Sequence, residues 1–273
     1  VKRRRPRAAG NQHDDIGAST DGPFRGMQRT VAILDALARE PARLIELTRS
    51  LGLPWATLHR TVAQLEKAQL VRKDPATRRY EVGSRLWYLG SAYLAGHRVL
   101  TAATPYLSRA DVPEGVAVQL VERIDNLAVA IYSAQKLAED ITKAHYGYHF
   151  PLHCGSKGQV LLANESPEFI DSYLRRDLER LTSDTIIDPK RLRDVLAAVR
   201  RQGFALTVAD VQPTTGSVAA PIRDAGGRTI AALCYVFRKN LLKNERSRDE
   251  MIDHLVHTAQ SISIGMGWRP GQS

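Results

Sequence analysis

Several features that would assign the chain to a common class of protein are missing from it. Its 273 residues include only two cysteines, Cys154 and Cys234, and these form no Cys-x-x-Cys pair. A thioredoxin-like site and a zinc knuckle are therefore excluded, and a reduced, cytoplasmic protein is expected. No run of about 18 apolar residues is present, so we expect no membrane-spanning helix. The basic residues 1–7 are followed by no apolar segment of the length that a secretory signal needs, so we expect no signal peptide.

Sequence motifs of catalysis, phosphate binding and RNA binding are also missing. There is no Gly-x-Ser-x-Gly elbow, and residues 155–158, Gly-Ser-Lys-Gly, lack the length and the Gly-Lys-Ser/Thr ending of a P-loop. No aromatic-rich strand for stacking bases accompanies the basic residues, which disfavours RNA binding. We therefore expect neither an enzyme nor a bound cofactor.

What is present is the composition of a globular protein with its positive charge at one end. With 43% hydrophobic and 25% charged residues, the chain has material for about two domains. The formal net charge is +10, and the first 100 residues carry 18 basic and 9 acidic side chains, against 21 and 20 in the rest. A positive field confined to one end suggests that this end binds a polyanion. Residues 1–24 are rich in Arg, Gly and Asp without periodicity, which predicts a disordered basic arm.

Between residues 25 and 82, apolar residues recur three times at helical spacing, each time next to a boundary signal. Pro41 ends the first run, Gly52 ends the second, and Pro54 stands at a favourable first position for the third. Two short helices joined by the tight turn at 51–54 have the spacing of a DNA-reading helix-turn-helix. The residues expected to face inward are, helix by helix, Met27, Val31, Leu34 and Leu37 or Ala38; then Leu44, Leu47 and Leu51; then Leu58, Val62 and Leu65.

The side of the third helix opposite its apolar residues is expected to face solvent. Such a helix can lie in the major groove, where Arg60 can pair with guanine, Gln64 can bond adenine and His59 can reach a base or a phosphate. Residues 70–73 and 78–82 flank an Asp-Pro-Ala-Thr turn and are expected to form a hairpin, or wing, along the phosphate backbone. The candidate DNA-binding residues are Gln28, Trp55, Ala56, Thr57, His59, Arg60, Gln64, Arg72, Lys73, Arg78 and Arg79.

A plainer interpretation of this region remains open. Its charges can belong to the solvated face of a three-helix scaffold, and Trp55 can pack against the second helix without touching DNA. The helix-turn-helix spacing, the hairpin and the charge excess nevertheless occur together within about 60 residues, and together they favour binding to double-stranded DNA.

Several segments resemble the IclR family of bacterial transcriptional regulators. Residues 52–60, Gly-Leu-Pro-Trp-Ala-Thr-Leu-His-Arg, are similar to that family's recognition segment. Three later segments are similar to its effector-domain signatures, in the expected order: 150–158, 203–205 (Gly-Phe-Ala) and 219–227. The resemblance covers about residues 25–264. It implies a winged helix-turn-helix, a linker helix and a GAF-like ligand domain, which work as a homodimer or as a dimer of dimers.

The pattern after residue 83 predicts a linker helix and then an α+β domain with an antiparallel sheet. Leu86, Leu89, Tyr93, His97 and Leu100 follow at helical steps, either as a surface for a partner helix or as packing on their own domain. Runs typical of strands cover 115–121, 126–134, 204–211, 218–222 and 229–237, and helical patterns cover 159–163, 167–176, 189–202 and 245–264. The predicted boundaries are a basic arm at 1–24, the winged helix-turn-helix at 25–83, the linker helix at 84–105, the effector-binding domain at 106–264 and a tail at 265–273.

The loop at 154–158 is the candidate ligand site of the second half. It leads into a helix whose backbone N–H groups and dipole can hold a ligand carboxylate, and Lys157 either adds charge or is simply exposed. The resemblance implies that this loop and two later strands line an effector pocket, whose residues here are Cys154, Gly155, Ser156, Gly158, Thr207, Asp210, Cys234 and Val236.

This candidate pocket departs from the usual pattern of the family that it resembles. Thr207, Val208 and Ala209 stand where acidic residues are usual, and Cys234 and Val236 stand where serines are frequent. Fewer polar groups favour a larger or more apolar organic acid, such as an aromatic acid, because buried polar groups must be matched by the ligand. The alternative is that the site has lost its function and binds nothing.

A short segment carries side chains of the types that bind zinc. These are His145, His149, His153 and Cys154, and imidazole and thiolate are both zinc ligands. Gly147 and Pro151 interrupt the segment, so its four-residue spacing cannot form one helix face, and we expect no metal.

The two halves together predict a ligand-responsive transcriptional regulator, either a repressor or an activator. It would bind a double-stranded DNA operator through its basic half and a small organic acid through the other half, and it would pair with a second copy of itself. The alternative is a small-molecule-binding protein or an enzyme whose N-terminal module serves assembly.

Overall fold

The computed structural model describes residues 24–107, 115–135 and 149–271. The chain divides into two compact units, Val1–Tyr93 and Leu94–Ser273. The predicted disordered arm lies outside the described residues apart from Phe24, which begins the first helix. Within the described ranges, no helix combines the length and the hydropathy that crossing a membrane requires.

The first unit is a winged helix-turn-helix whose helices are α1 (Phe24–Arg39), α2 (Leu44–Leu51) and α3 (Trp55–Lys67). Gly52 ends α2 in the left-handed conformation, with a φ of 63°, which a residue without a Cβ adopts at little cost. The side chains of Leu58, Val62 and Leu65 are buried on α3, as their spacing predicts. They pack with residues of α1 and α2 into a core that belongs to this unit.

The inward face of α1 matches the prediction only in part, since Leu37 is buried and Leu34 packs against the core. Met27 and Val31 are 68% and 50% exposed, whereas Ile33 and Leu37 are buried. Met27 and Val31 each precede one of these buried residues by six positions, which places them about 120° away around the helix. The predicted set of inward residues therefore combines two faces of α1, and only Leu34 and Leu37 of that set contact the core.

The wing is a hairpin of β1 (Val71–Lys73) and β2 (Tyr80–Val82), which pair antiparallel. Ala42, between α1 and α2, forms a bridge to it. The Ala42 N–H donates to the Tyr80 carbonyl at 2.9 Å, and the Ala42 carbonyl accepts from the Tyr80 N–H at 2.8 Å. The predicted hairpin is confirmed with shorter strands, and backbone hydrogen bonds fix it to the helices.

The helix predicted at 84–105 is two helices, α4 (Ser84–Ala95) and α5 (Arg98–Leu107). His97 lies between them and caps the second, because its Nδ1 accepts from the Leu100 N–H at 3.3 Å. Its Nε2 lies 3.0 Å from the Glu122 carboxylate. The prediction of a single helix is wrong. The apolar spacing continues through His97, although α4 ends before this residue and α5 begins after it.

The second unit is an antiparallel sheet with helices on both faces. Its strands are β3 (Val116–Ile124), β4 (Leu127–Gln135), β5 (His149–Pro151), β6 (Ala205–Val208), β7 (Thr215–Arg223) and β8 (Thr229–Arg238), in the order β5-β4-β3-β8-β7-β6. One face carries α6 (Gly155–Ala163), α7 (Pro167–Leu174) and α8 (Pro189–Gln202), and the other carries α5 and α9 (Glu245–Gly265). This is the predicted α+β fold.

The predicted strands and helices of the second unit are present, with shifted ends. The helix α6 begins at Gly155 and β7 begins at Thr215, both earlier than their patterns suggest. The sequence does not predict β5, because three residues are too few to show a period. This strand pairs with β4, with Leu127 opposite Pro151, and it leads the chain directly into the loop before α6.

Candidate functional site

The solvent side of α3 carries the residues that the sequence proposes for DNA contact. The Trp55 side chain is 51% exposed, and its ring centroid lies 6.1 Å from that of His59, one turn later on the same helix. Arg60 pairs with no other side chain among the described residues, so its guanidinium is available to a ligand. The exposed members of the predicted set are Trp55, Ala56, His59, Arg60 and Gln64, and Thr57 is half-buried.

The start of α3 adds backbone donors to this surface. Pro54 is the N-cap and not the first helical residue that the sequence predicts, because its ψ of 136° is extended. No side chain of the described residues caps this helix end, and the first N–H groups of a helix have no partner within it. Since Pro54, Trp55 and Ala56 are exposed, the positive end of the helix dipole faces solvent, and its N–H groups can donate to a phosphate oxygen.

The wing tip carries an exposed arginine in an unusual conformation. Arg78 has a φ of 59°, in the left-handed region that costs a residue with a Cβ about 1 kcal/mol. Its N–H donates to the Asp74 carbonyl at 2.9 Å. The Asp74 carboxylate accepts from the Thr77 hydroxyl at 2.6 Å and from the Ala76 N–H at 2.9 Å, and these two hydrogen bonds, in that order, lower its pKa. Among the described residues no side chain pairs with the Arg78 guanidinium.

Arg79, by contrast, has a partner inside the unit. It forms a two-pronged ion pair with Glu46, in which Nη2 lies 3.0 and 2.9 Å from the two carboxylate oxygens and Nη1 lies 3.2 Å from one of them. Glu46 also accepts from the Arg43 N–H at the start of α2, at 2.9 Å. Arg79 therefore ties the wing to α2, a role that its place in a basic hairpin does not reveal.

Arg72, Lys73 and Gln28 complete the predicted set. Arg72 lies 3.0 Å from Glu81 on the neighbouring strand, although its own side chain is 71% exposed. The Lys73 Nζ lies 5.3 Å from the centre of the Tyr80 ring, and Gln28 is exposed on α1. Both cations thus have weak surface partners that do not prevent contact with a phosphate.

In the second unit, α6 lies against the sheet with every residue from Gly155 to Ala163 buried. Gly158 permits this packing, because a Cβ there would lie 2.5 Å from the Leu152 carbonyl oxygen. Cys154 is the N-cap of the helix and lies in the hydrophobic core, where burial raises the pKa of its thiol. Both residues belong to the predicted set, and the structure gives each of them a packing role.

The start of α6 is already filled by side chains of the protein. The Gly155 N–H donates to Asp210 Oδ2 at 2.8 Å. The Ser156 N–H donates to Thr207 Oγ1 at 3.1 Å and to Ser217 Oγ at 3.4 Å. Asp210 and two hydroxyls therefore already accept from these two N–H groups, and the predicted binding of a ligand carboxylate here would require it to displace them.

Further hydroxyl groups lie between the start of α6 and the sheet. The Ser156 Oγ donates to Ser217 Oγ at 2.8 Å, and Thr207 Oγ1 lies 3.1 Å from the same oxygen. Cys234 Sγ lies 3.8 Å from Ser156 Oγ, and Val236 is opposite Ser217 on the neighbouring strand. The structure therefore brings together Ser156, Thr207, Cys234 and Val236, as the resemblance implies.

Asp210 is a buried carboxyl whose two oxygens differ in their contacts. Its Oδ2 also accepts from the Gln159 amide at 3.4 Å, whereas Oδ1 has no hydrogen-bond partner among the described residues. Burial raises its pKa to about 6; the Gly155 N–H opposes this shift and the charge of Asp184 adds to it. The carboxyl is therefore only weakly held in its ionised form at neutral pH.

Lys157 is buried, so the expectation that it is simply exposed is wrong. Only 5% of its surface is accessible to solvent, because its side chain extends from α6 toward the sheet. The Nζ atom donates to Gln119 Oε1 and lies 4.4 Å from the centre of the Phe150 ring. Burial lowers the pKa of this ammonium. No carboxylate of the described residues pairs with it.

Sequence reasoning missed Gln119, Ser133 and Ser217, three polar residues of the sheet. Gln119 is fully buried within β3, where the residues from Val116 to Val121 are all buried. The available signal is a single polar residue inside the otherwise apolar run 116–121. Ser133 on β4 and Ser217 on β7 have no such local signal, because the register of the sheet decides which residues come together.

The suggested metal ligands are arranged for other contacts. The ring of His153 is buried, with Nδ1 2.9 Å from the Tyr173 hydroxyl and Nε2 2.9 Å from the Glu179 carbonyl oxygen. Burial lowers the pKa of this imidazole. His145 lies outside the described residues, and within them no group of three or more potential ligands comes together.

Comparison with known families matches both units. The family model described as the IclR helix-turn-helix domain matches residues 26–75. The model described as the bacterial transcriptional regulator IclR C-terminal domain matches residues 91–264. The two matches cover the surface around α3 and the site around α6.

Relatives along nearly the whole chain are also regulators. The DNA-binding transcriptional repressor YiaJ of Escherichia coli is 26% identical over 263 residues, which cover 94% of this chain and 92% of YiaJ. The crystal structure of an IclR transcriptional regulator from Alicyclobacillus acidocaldarius superposes with a TM-score of 0.78 at 24% identity, covering 89% of this chain and 99% of that one. An IclR homologue from Microbacterium hydrocarbonoxydans, complexed with 4-hydroxybenzoate, superposes with a TM-score of 0.73 at 25% identity, covering 88% and 98%.

Proposed function

The chain belongs to the IclR family of bacterial transcriptional regulators, a family of DNA-binding proteins, and from this premise we propose that it is a regulator whose DNA binding responds to a small organic acid. Its first unit reads an operator and its second unit binds the effector. The observation that carries the proposal is the solvent side of α3, where Arg60 is exposed and unpaired among the described residues beside an uncapped helix start.

The DNA-binding surface is proposed to combine base contacts and phosphate contacts. Arg60, Gln64 and His59 would reach base edges from α3, since these side chains suit the donor and acceptor pattern of the major groove. Thr57 and the backbone N–H groups at the start of α3 would contact a phosphate, and Arg78 would do so from the wing. Trp55, Ala56, Gln28, Arg72 and Lys73 complete this surface.

The effector is proposed to be a carboxylic acid with an apolar or aromatic body. The predicted pocket holds few polar groups beyond those that already bond one another, which favours an apolar ligand. The 4-hydroxybenzoate found with the Microbacterium homologue supports an acid of this class. Effector binding would change DNA affinity only to the extent that the effector prefers one arrangement of the reading units.

The chain is further proposed to pair with a second copy of itself. Trp87, Tyr88, Leu89 and Tyr93 of α4 are all exposed by about half or more, from 49% to 71%. Large apolar side chains concentrated on one helix mark an interaction surface. Two reading units would then occupy two half-sites of an operator.

Arg60→Ala tests the DNA-reading surface. Duplexes selected from a random library by the wild-type protein serve as probes in an anisotropy titration. Loss of a base contact is expected to weaken binding by about 10-fold or more and to relax the preference at one position. Arg201→Ala, which removes an exposed arginine of the second unit, is the matched control and should bind as wild type. Unchanged affinity and preference in Arg60→Ala would contradict the assignment of α3.

A further inference from the structure

The buried ammonium of Lys157 is the starting point. A cation removed from water is costly unless a negative group or several hydrogen bonds compensate it. Here the described residues supply one amide oxygen, from Gln119, one aromatic face, from Phe150, and the nearby thiol of Cys234, whose pKa burial raises. The charge of Lys157 is thus incompletely compensated within the described part of the chain.

Two more buried donors lack an acceptor among the described residues. Gln119 uses its Oε1 for Lys157, and within the described ranges neither its amide nitrogen nor the buried hydroxyl of Ser133 has a hydrogen-bond partner. Gln119 and Ser133 are directly opposite each other on β3 and β4, so their side chains point to the same face of the sheet about 5 Å apart. An ammonium, an amide N–H₂ and a hydroxyl on one face of the sheet thus form a set that the described part of the chain does not supply with enough acceptors.

The other anion-binding position of this region is taken. Asp210 occupies the N–H group of Gly155, and Thr207 and Ser217 occupy that of Ser156. A ligand anion placed at the helix start would meet the Asp210 carboxyl and would have to displace it from the Gly155 N–H. Because Asp210 is the anion at the helix start, an anionic ligand is expected to bind at Lys157, on the sheet side of α6.

We propose that Lys157, Gln119 and Ser133 form the site that binds the carboxylate of the effector, with the Phe150 ring against the apolar body of the same molecule. The site takes a monoanion, because a single cation neutralises a single charge and a dianion would remain uncompensated in a buried position. This inference rests on the proposed function, which it extends by naming the charged group of the ligand and its partners.

The test is ligand-induced stabilisation of the full chain, measured as a shift in Tm with pairs of probes. Benzoate, 4-hydroxybenzoate and hexanoate are each compared with the corresponding neutral amide at the same concentration. At least one carboxylate is expected to raise the Tm of the wild type, since a ligand stabilises the state that binds it, while its amide does not. An absence of any shift with all three carboxylates, or equal shifts with the amides, would overturn the proposal.

Two substitutions locate the site. Lys157→Met keeps the length of the side chain and removes the charge, so the fold is expected to persist and the carboxylate shift to disappear. Lys190→Met removes a lysine exposed on α8 and should retain the shift. A carboxylate shift that survives in Lys157→Met contradicts the proposal.

Gln119→Glu provides an independent check that does not depend on removing the lysine. The new carboxylate lies beside the Lys157 ammonium and fills the site from within, so the Tm without ligand is expected to rise and the carboxylate shift to vanish. A shift of wild-type size in this variant would also overturn the proposal. Failure of the site and failure of the regulator function remain distinguishable, because the same wild-type protein is tested for binding to its selected duplex.

Discussion

Arg78 and Arg79 are neighbours in the wing, yet the structure gives them different tasks. Arg78 is exposed at the tip, and Arg79 is paired with Glu46. Arg78→Gly is expected to lower DNA affinity for all sequences and to reduce the salt dependence by about one phosphate contact. It should not lower stability, because glycine adopts a φ of 59° without strain. Salt-dependent anisotropy titrations together with thermal unfolding check both parts.

Arg79→Ala is expected to act through the position of the wing. Its ion pair is half-exposed, with side-chain exposures of 34% and 44%, so its loss should cost no more than about 1 kcal/mol. Glu46→Gln is the matched variant, since it breaks the same pair without removing a positive charge. If the two variants weaken DNA binding equally, Arg79 is a positioning residue; a much larger loss in Arg79→Ala would indicate direct contact with DNA.

Asp210 gives stability a dependence on pH. Burial raises its pKa in the folded protein to about 6, from an ordinary value of 3.8, so folding favours the protonated form. The resulting stabilisation is complete below about pH 4 and is lost as pH rises through about 6, by about 2–3 kcal/mol. Asp210→Asn removes this dependence, so the wild type should lose stability relative to the variant between pH 4 and pH 7. Urea unfolding at both pH values measures the difference, and parallel curves would contradict the assignment.

At the residue scale, the sequence indicates which side chains belong to the site around α6, but it does not indicate the role of each of them. The resemblance brings Asp210 and the loop at 154–158 together correctly. It does not reveal that Asp210 occupies the start of α6, nor that Lys157 turns inward to Gln119, because both contacts join residues 38 or more positions apart. Such contacts depend on the register of the sheet, which the local pattern does not contain.

Among the elements, the helix-turn-helix was predictable because each of its boundaries has a local cause. Gly52 and Pro54 define the turn between α2 and α3, and the four-residue steps on α3 identify its buried face. The break between α4 and α5 was not predictable in the same way, since His97 continues the apolar spacing while its side chain caps the next helix. Periodicity identifies a row of apolar residues, but it does not show that one continuous helix carries the whole row.

The contact between α6 and the loop before it depends on Gly158. A Cβ at this position would meet the backbone of Leu152 at 2.5 Å, so Gly158→Ala must displace one segment and is expected to lower stability by about 2 kcal/mol or more. Gly26→Ala on α1 is the control, because a Cβ there has nothing within 4 Å and alanine favours helix. Chemical denaturation of both variants checks the difference, and equal stabilities would contradict the packing role of Gly158.

The exposed aromatic side of α4 is expected to carry self-association. Trp87→Glu places a charge where a large apolar surface would be buried between copies, so the mass in solution should fall toward that of one chain. Ile264→Glu, which changes an apolar residue on α9 that is 55% exposed, should leave the mass unchanged. Sedimentation equilibrium distinguishes these outcomes, and a wild-type mass for Trp87→Glu would exclude α4 as the interface.

For the molecule as a whole, the net charge of +10 separates into a basic first part and a nearly neutral second part. This division coincides with the two compact units and with the two family matches. The first unit offers exposed cations around α3 and the wing tip, whereas the second unit buries Lys157 near two donors that have no acceptor among the described residues. A polyanion fits the first arrangement, and a small monoanion fits the second.

The regulator function is tested most directly by one measurement: the affinity of the full chain for its selected duplex and for a scrambled duplex of the same composition at physiological salt. A sequence-reading regulator should bind the selected duplex tighter by about 10³-fold or more, with a salt dependence that reflects several phosphate contacts. Equal affinity for the two duplexes at every salt concentration would contradict the proposed function.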